Sequence, residues 1–166
     1  MTLLTDEVRA LEGRTAVYTA PEPFGAAAGR YFGLAVGDEN PLYSDPAYAQ
    51  AQGLAGVTAP LTLVCETNQY AGLPADHEGY AGHTWGLDIP GTRQVRGGNK
   101  YTFHRRIRPD DVVTATWRIT SVSEKVTGSG NEMLVIGSTA TYTNQSGELL
   151  AENAETIIFV GLEKKA

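Results

Sequence analysis

The sequence predicts an α+β fold, because helical patterns occupy its first half and strand patterns its second. Apolar residues recur at helical spacing in Phe24–Val36, in Ala47–Gln52 and from Leu61 to about Tyr70. Beyond Gly97 the turn sequences RPDD, TGSGN and NQSGE separate four strand-like stretches at 100–107, 112–126, 132–144 and 149–161. We therefore expect an antiparallel meander that wraps around one central apolar helix.

The elements of the first half each have a local signal. Thr15–Ala20 is β-branched and aromatic enough for a short strand. The helix at Phe24–Val36 ends at Gly37 and is predicted to bury one apolar stripe, which comprises Phe24, Ala27, Ala28, Tyr31, Phe32 and Ala35. Thr58, Ala59 and Pro60 suit the start of the central helix, since proline is favoured at the first helical position. The glycine-rich segment Leu73–Gly98 is predicted to be a long, functional connection.

Length and composition restrict the class of protein. The 166 residues predict a single domain over 1–166, and one cysteine excludes a disulfide framework or a cysteine-rich zinc site. A net charge of −6 argues against nucleic-acid binding. The sequence contains no stretch of 18 apolar residues, so we expect no membrane span. The acidic residues near the amino terminus do not suit a signal peptide. We expect a cytoplasmic protein.

Three strings resemble the MaoC-like branch of the hot-dog fold, which comprises (R)-specific enoyl-CoA hydratases and 3-hydroxyacyl-thioester dehydratases. FGLAVGDENPLYSD at 32–45 resembles the hydratase motif G-D-x-N-P-x-H, and GVTAPLTLV at 56–64 resembles the start of the central hot-dog helix. KYTFHRRIRPDD at 100–111 resembles the segment F-x-Y-H-R-P-x-R-P-G-D. The resemblance covers about residues 15 to 160 and implies an antiparallel sheet of five or six strands around a central helix.

The resemblance also implies a chemistry. In the family an Asp and a His bridge one water, which adds to the enoyl thioester, and a backbone N–H at the central helix holds the thioester carbonyl. Asp38 and Asn40 match the motif, but Tyr43 stands at the histidine position, and a phenol with a pKa near ~10 is a poor base at neutral pH. Ala59-Pro60 replaces the His-Gly that opens the family's helix, and proline has no N–H to donate.

Both departures resemble those of non-catalytic hot-dog halves, which pair with a catalytic partner. The resemblance thus implies a subunit of a homo- or hetero-oligomeric hydratase or dehydratase. Its substrate would be a coenzyme A or acyl-carrier thioester, with no cofactor and no metal. Asp38, Asn40 and Tyr43 are the candidate catalytic residues. The candidate substrate-binding residues are Thr58, Ala59, Pro60, Arg93, Arg96, Arg105 and Arg106.

Plainer interpretations stay open for each residue. Asp38 could simply cap a turn, and Tyr43 is expected to serve packing rather than catalysis. His104 is expected on a surface, on the strand face opposite Tyr101 and Phe103. His77 and His83 are expected to be solvated, although either could act as a replacement base. Cys65 is expected to be a small buried hydrophobe.

An arginine group stands out in this acidic sequence. Arg93, Arg96, Arg105, Arg106 and Arg108 supply 5 of the 13 basic residues. Such a group suits the phosphates of coenzyme A or the acidic face of an acyl carrier. The alternative is ordinary solvated charge at a strand edge.

Two other functions remain possible. A hot-dog thioesterase would need a carboxylate near the central helix, and Glu66 is the candidate there. An acyl-thioester-binding or structural module would show no turnover with any partner.

Overall fold

The computed structural model describes residues 2–65, 68–128 and 130–162. Three short α-helices precede the long strands: α1 (Asp6–Arg9), α2 (Ala26–Val36) and α3 (Pro46–Ala51). None of the described helices has the length and apolar character that crossing a membrane requires. The strands are β1 (Thr15–Thr19), β2 (Thr92–Phe103), β3 (Thr114–Val126), β4 (Glu132–Thr143) and β5 (Leu149–Gly161).

The five strands form one antiparallel sheet in the order β1-β3-β4-β5-β2. The α+β class and the strand number agree with the sequence prediction. A four-strand meander, however, was a wrong expectation: β3, β4 and β5 follow one another, whereas β2 pairs with β5. The RPDD sequence is therefore no hairpin turn. It lies on the connection that takes the chain from the edge strand β2 to β3.

Strand β2 begins at Thr92, inside the segment predicted as a loop up to Gly98. The glycines that suggested a loop mark a bulge, since the register with β5 shifts between Arg96 and Gly98. A Cβ on Gly97 would lie 2.8 Å from Cγ2 of Thr156, so only glycine allows this close approach. Gly98 adopts φ 140°, which side chains disfavour.

The described parts of the predicted central helix are 3₁₀ rather than α-helical. Its described parts are two 3₁₀ turns, Leu61–Cys65 and Asn68–Tyr70, and Glu66 lies outside the described residues. Cys65 is buried, as expected. These turns belong to the core that covers the inner face of the sheet, whose members include Leu63, Val64, Cys65, Tyr70, Trp117, Ile119, Leu134, Ile136, Ala151 and Phe159.

Helix α2 buries two glycines, Gly29 and Gly33, and only part of the predicted apolar stripe. Phe24, just before the helix, is buried and Phe32 packs against the core, whereas Tyr31 is 63% exposed. Because glycine has no side chain, the face with Gly29 and Gly33 lies close to the rest of the chain. Tyr31 and the 58% exposed Leu34 lie one turn apart and present apolar surface to solvent, of the kind that marks interaction surfaces.

The connection between β2 and β3 is centred on a buried carboxylate. Asp111 is fully buried and accepts hydrogen bonds from Arg105 Nη2 at 2.8 Å, Arg108 N–H at 2.7 Å and Asn144 Nδ2 at 3.2 Å. Arg105 Nε also lies 2.9 Å from Glu148 Oε1. Burial by itself raises the pKa of Asp111, but these hydrogen bonds outweigh it and hold that pKa below the ordinary 3.8.

Substitution of Asp111 by Ala should therefore destabilise the protein by about 3–5 kcal/mol, because Arg105, the N–H of Arg108 and Asn144 all lose their common acceptor. Chemical denaturation measures this loss. The stabilisation by Asp111 should be present at neutral pH and disappear as the pH falls below the ordinary carboxyl pKa, since its folded-state pKa is lowered. Asp110→Ala is the matched control: its side chain is 76% exposed, so a loss under about 1 kcal/mol is expected. Equal losses in both variants would contradict the anchoring role.

Candidate functional site

The loop after α2 holds the motif carboxylate. Helix α2 ends at Gly37, whose φ of 74° lies in the left-handed region. The side chain of Asp38 follows directly and accepts the backbone N–H of Asn40 at 3.2 Å. Asn40 in turn accepts the N–H of Leu42 at 3.0 Å, which starts the 3₁₀ turn Pro41–Tyr43. Asn40 thus shapes the loop through its own side chain.

Tyr43 is joined to Asp38 by a direct hydrogen bond, which the sequence analysis did not predict. Its hydroxyl donates to Oδ2 of Asp38 at 2.7 Å, and the residue is only 6% exposed. Burial, then the hydrogen bond and negative charge of Asp38, raises the pKa of the phenol above its ordinary 10.0. The guanidinium of Arg106 opposes part of this rise. The phenol therefore stays protonated at neutral pH and does not act as a base.

Two glycines of α2 let this loop fold back on the helix. A Cβ on Gly33 would lie 2.8 Å from the carbonyl oxygen of Asp38 and 3.0 Å from the ring of Tyr43. A Cβ on Gly29 would lie 3.1 Å from Cβ of Ala59. Both positions are too close for an added side chain, so glycine at 29 and 33 sets the distance between α2, the Asp38 loop and the segment that precedes the first 3₁₀ turn of the core.

That segment supplies the second half of the candidate site. The N–H of Thr58 donates to the carbonyl of Leu42 at 2.9 Å, which brings residues 58–60 beside the Asp38 loop. Thr58, Ala59 and Pro60 are all buried. Within the described residues, the hydroxyl of Thr58 has no hydrogen-bond partner. Pro60 has no N–H to offer, whatever its orientation.

This geometry limits what the loop can do alone. A cleft of about 240 Å³ opens beside it, lined in part by Arg30, Leu34, Asp38, Asn40 and Tyr43. Asp38 brings a carboxylate to this cleft, and the proton of Tyr43 is held by that carboxylate. A hydration reaction needs a base for water and an acid for the α-carbon. Asp38 and Tyr43 supply one carboxylate and one phenol of raised pKa, without the imidazole that the motif carries.

The five arginines of the group have different surroundings in the structure. Arg105 is paired with Asp111 and Glu148, and Arg106 acts on Tyr43. Arg93 and Arg96 are exposed on β2, and Arg108 Nε lies 3.7 Å from Asp110. Because Arg105 pairs with the buried carboxylate of Asp111, a charge reversal at Arg105 would act through folding before it acted on any ligand.

The three histidines have different surroundings. His77 is 89% exposed, as expected for a loop. His104 follows the end of β2, and its half-exposed ring lies 2.8 Å from Oε2 of Glu152. For His83 the expectation of a solvated side chain is wrong. Its ring stacks on Trp117 at 4.3 Å, contacts Trp85 edge-on at 4.5 Å, and lies 3.0 Å from the hydroxyl of Tyr18.

Beside His83 lies a cavity that the sequence interpretation missed. It has a volume of about 430 Å³ and lies between residues 74–87 and the inner faces of β2 and β5. Asn153 and Glu155 of β5 lie on the same inward face of the strand as Ile157 and Phe159. Two polar residues at core-facing positions of a strand are a signal that period-2 analysis could have found.

A protein-family comparison assigns the chain to a family. The model of the FAS1-like dehydratase domain region matches residues 16–153. The chain belongs to this family. A relative in Thermobifida fusca, called a UPF0336 protein, is 32% identical over 148 residues, which are 87% of this chain and 89% of the relative. A probable enoyl-CoA hydratase alpha subunit of Thermomonospora curvata is 32% identical over 129 residues, covering 74% of this chain and 40% of that protein.

Comparison with solved structures shows that this chain has the hot-dog fold of the MaoC-like dehydratases. A chain of the ChsH1-ChsH2 complex from Mycobacterium tuberculosis superposes with a TM-score of 0.73 at 22% identity, over 96% of this chain and 90% of that one. The HadBC (3R-hydroxyacyl-ACP dehydratase) complex of the same organism gives 0.59 at 23% identity, over 89% and 97%. At these identities the likeness concerns the fold.

The Tyr43–Asp38 hydrogen bond should contribute measurably to the stability of this dehydratase-family chain. We expect Tyr43→Phe to lower the free energy of unfolding by about 1–2 kcal/mol, because the bond has a charged acceptor and a buried donor. Tyr48→Phe is the control, since Tyr48 is 41% exposed and its variant should change stability by less than about 0.5 kcal/mol. If denaturant midpoints were the same for both variants, the bond would have no role in holding the loop.

Proposed function

We propose that this chain is a subunit of an enoyl-thioester hydratase, or of a 3-hydroxyacyl-thioester dehydratase, that binds the acyl thioester and completes the site of a catalytic hot-dog partner. In hydration the oxygen of water bonds to the β-carbon and a proton reaches the α-carbon. Dehydration reverses both steps. The partner would bring the histidine of an intact G-D-x-N-P-x-H motif.

The observation that carries this proposal is the Asp38–Tyr43 pair. Asp38 keeps the motif's carboxylate, but the residue opposite it is a phenol whose raised pKa keeps its proton in place. Pro60 removes the N–H that the family uses at the start of its central helix. The loss of base and donor together favours a chain that shapes and binds over one that turns over alone.

Two surface features support an oligomer. Strand β2 is an edge strand, paired with β5 on one side, and its residues from Arg96 to Thr102 are exposed. The exposed Tyr31 and Leu34, one turn apart on α2, form an apolar surface. Edges and apolar faces of this kind favour association with another sheet. The neighbours named ChsH1-ChsH2 and HadBC are complexes of subunits, which is consistent with a hot-dog partner here.

We propose two possible carriers for the thioester, coenzyme A and an acyl carrier. Exposed Arg93 and Arg96 on β2 suit a phosphate of coenzyme A or an acidic acyl carrier, and we retain both carriers. An acyl-thioester-binding module without turnover is the second candidate, because the same Tyr43 and Pro60 features would suit it. A thioesterase that uses Glu66 is a third possibility, and Glu66 lies outside the described residues.

An enoyl-CoA hydration assay distinguishes between these candidate functions. The purified chain should hydrate crotonyl-CoA far below the ~1 s⁻¹ typical of slow enzymes. Co-expression with a hot-dog chain that keeps G-D-x-N-P-x-H should give a complex of enzymatic rate. Tyr43→His in the isolated chain should restore little activity, since Pro60 still withholds its donor.

The controls decide between the candidates. Substitution of the motif histidine in the partner should abolish hydration by the complex without dissolving it, as sedimentation would report. Rapid turnover by the isolated chain would refute the subunit proposal. A stable complex that binds thioester and never hydrates it would favour the binding module, whereas release of free coenzyme A would favour the thioesterase.

A further inference from the structure

The connection between the second 3₁₀ turn and β2 covers a cavity. Residues of the 74–86 segment line one side of this cavity, whose volume is about 430 Å³, and the inner faces of β2 and β5 line the other side. Leu73 and Leu87, on either side of the segment, pack against the core. The segment therefore spans the cavity between two fixed ends, and its residues 74–81 are exposed.

The tip of the segment holds its shape through its own contacts. The carboxylate of Asp76 accepts the N–H groups of Glu78 and Tyr80, both at 2.9 Å, and the N–H of Asp76 donates to the carbonyl of Tyr80 at 2.9 Å. A Cβ on Gly82 would collide with the hydroxyl of Tyr80, so the missing side chain lets the tip fold over the next residues. These contacts let the tip move as one body.

His83 and Trp85 attach the segment to the sheet. The ring of His83 stacks on Trp117 of β3 at 4.3 Å, and its Nδ1 lies 3.0 Å from the hydroxyl of Tyr18 on β1. Trp85 contacts the ring of His83 edge-on at 4.5 Å, and its carbonyl accepts a hydrogen bond from Nη1 of Arg14 at 3.1 Å. These attachments lie on the β1–β3 side of the sheet, whereas the cavity extends towards β2 and β5.

Opposing free-energy contributions act on this attachment. Burial, together with the charge of Arg14, lowers the pKa of His83 to about 4, so the ring is neutral at pH 7 and packs between two indoles. However, Nε2 of His83 and Nε1 of Trp85 are buried and have no hydrogen-bond partner among the described residues. Movement of the segment away from the sheet would let water pair both atoms. This gain reduces the free-energy difference between the closed form and an open one.

We infer that the 74–86 segment is a lid, that the ring of His83 between Trp117 and Trp85 is its latch, and that release of the latch controls access to the cavity. A segment with few buried residues opens at a lower free energy than the core does. Gly86, whose φ of 60° lies in the left-handed region, follows Trp85 directly and suits a hinge. That an acyl chain is what enters rests on the proposed function, whereas the lid itself does not.

The two tryptophans of the chain report on the lid separately. Trp85 belongs to the lid, whereas the indole N–H of Trp117 donates to Tyr70 in the core at 2.9 Å. Exchange of both indole protons with deuterated solvent can be followed by NMR in the unmodified chain. The proton of Trp85 should exchange about 100-fold faster than that of Trp117, because the lid opens without the core. Equal rates would show that the segment opens only when the whole chain unfolds, and would overturn the inference.

Variants test the latch. His83→Ala removes the ring between the indoles and should speed exchange at Trp85 about 10-fold further, since the closed form loses its packing. Tyr18→Phe removes one hydrogen bond to the latch and should speed exchange about 3- to 10-fold, and it is the second variant if the first fails to fold. His77→Ala is the matched control on the same segment, because His77 is 89% exposed, and it should change exchange by less than about twofold. No acceleration in either latch variant would contradict the role of His83.

Ligand kinetics test the control of access. Stopped-flow tryptophan fluorescence can follow dodecanoyl-CoA binding to the full chain, alone and with its hot-dog partner. His83→Ala should raise both the association and the dissociation rate about 10-fold, because a lid that is open more often admits and releases the chain more often. His77→Ala should keep both rates.

The outcomes distinguish the lid from the proposed function. Fast exchange at Trp85 with unchanged ligand rates in His83→Ala would overturn the control of access, since the acyl chain would then enter by another route, and the proposed function would stand. Absence of dodecanoyl-CoA binding by both chain and complex would overturn the proposed function and the control of acyl access. The indole exchange would still decide whether the lid opens.

Discussion

The buried carboxylate of Asp111 ties together parts of the chain that no single strand pair connects. Through its side chain it joins Arg105, at the end of β2, to Asn144 in the turn between β4 and β5. Through its carbonyl oxygen it accepts the N–H of Phe24 at 2.9 Å, just before α2 begins. A charge buried this deeply is tolerated only when it is fully paired, so the whole connection adopts one arrangement.

The geometry of the candidate site depends on this connection between β2 and β3. Arg105 donates to the carbonyl of Arg106 at 2.7 Å, and Arg106 is the cation that acts on Tyr43. Helix α2, held at its start by the same connection, carries Gly33 to the ring of Tyr43. The Asp38–Tyr43 pair is thus clamped between two elements. The phenol of this pair keeps its proton at neutral pH, so it cannot supply the base that a hydration reaction needs.

The sequence was most informative where one physical rule acted alone. Strands β3 to β5 alternate regularly, so their bounds could be predicted within two residues. Strand β2 was missed at its start because Gly97 and Gly98 indicate a turn locally, whereas their role is set by β5. The environment of His83 likewise depends on Trp117, which is distant in sequence, and no local pattern reports it.

Polar residues interrupt the otherwise apolar inner face of β5. An unpaired buried donor or acceptor lowers stability by about 1–3 kcal/mol, and an apolar residue of the same shape would avoid that loss. Ile157 and Phe159 show that the same face of β5 accepts apolar side chains two and four residues beyond Glu155. A module that only supported its partner would gain stability from an apolar residue at Asn153 as well. Asn153 instead donates its amide N–H to Asn99 at 3.0 Å, which fixes the side chain against β2, and its Oδ1 has no partner among the described residues.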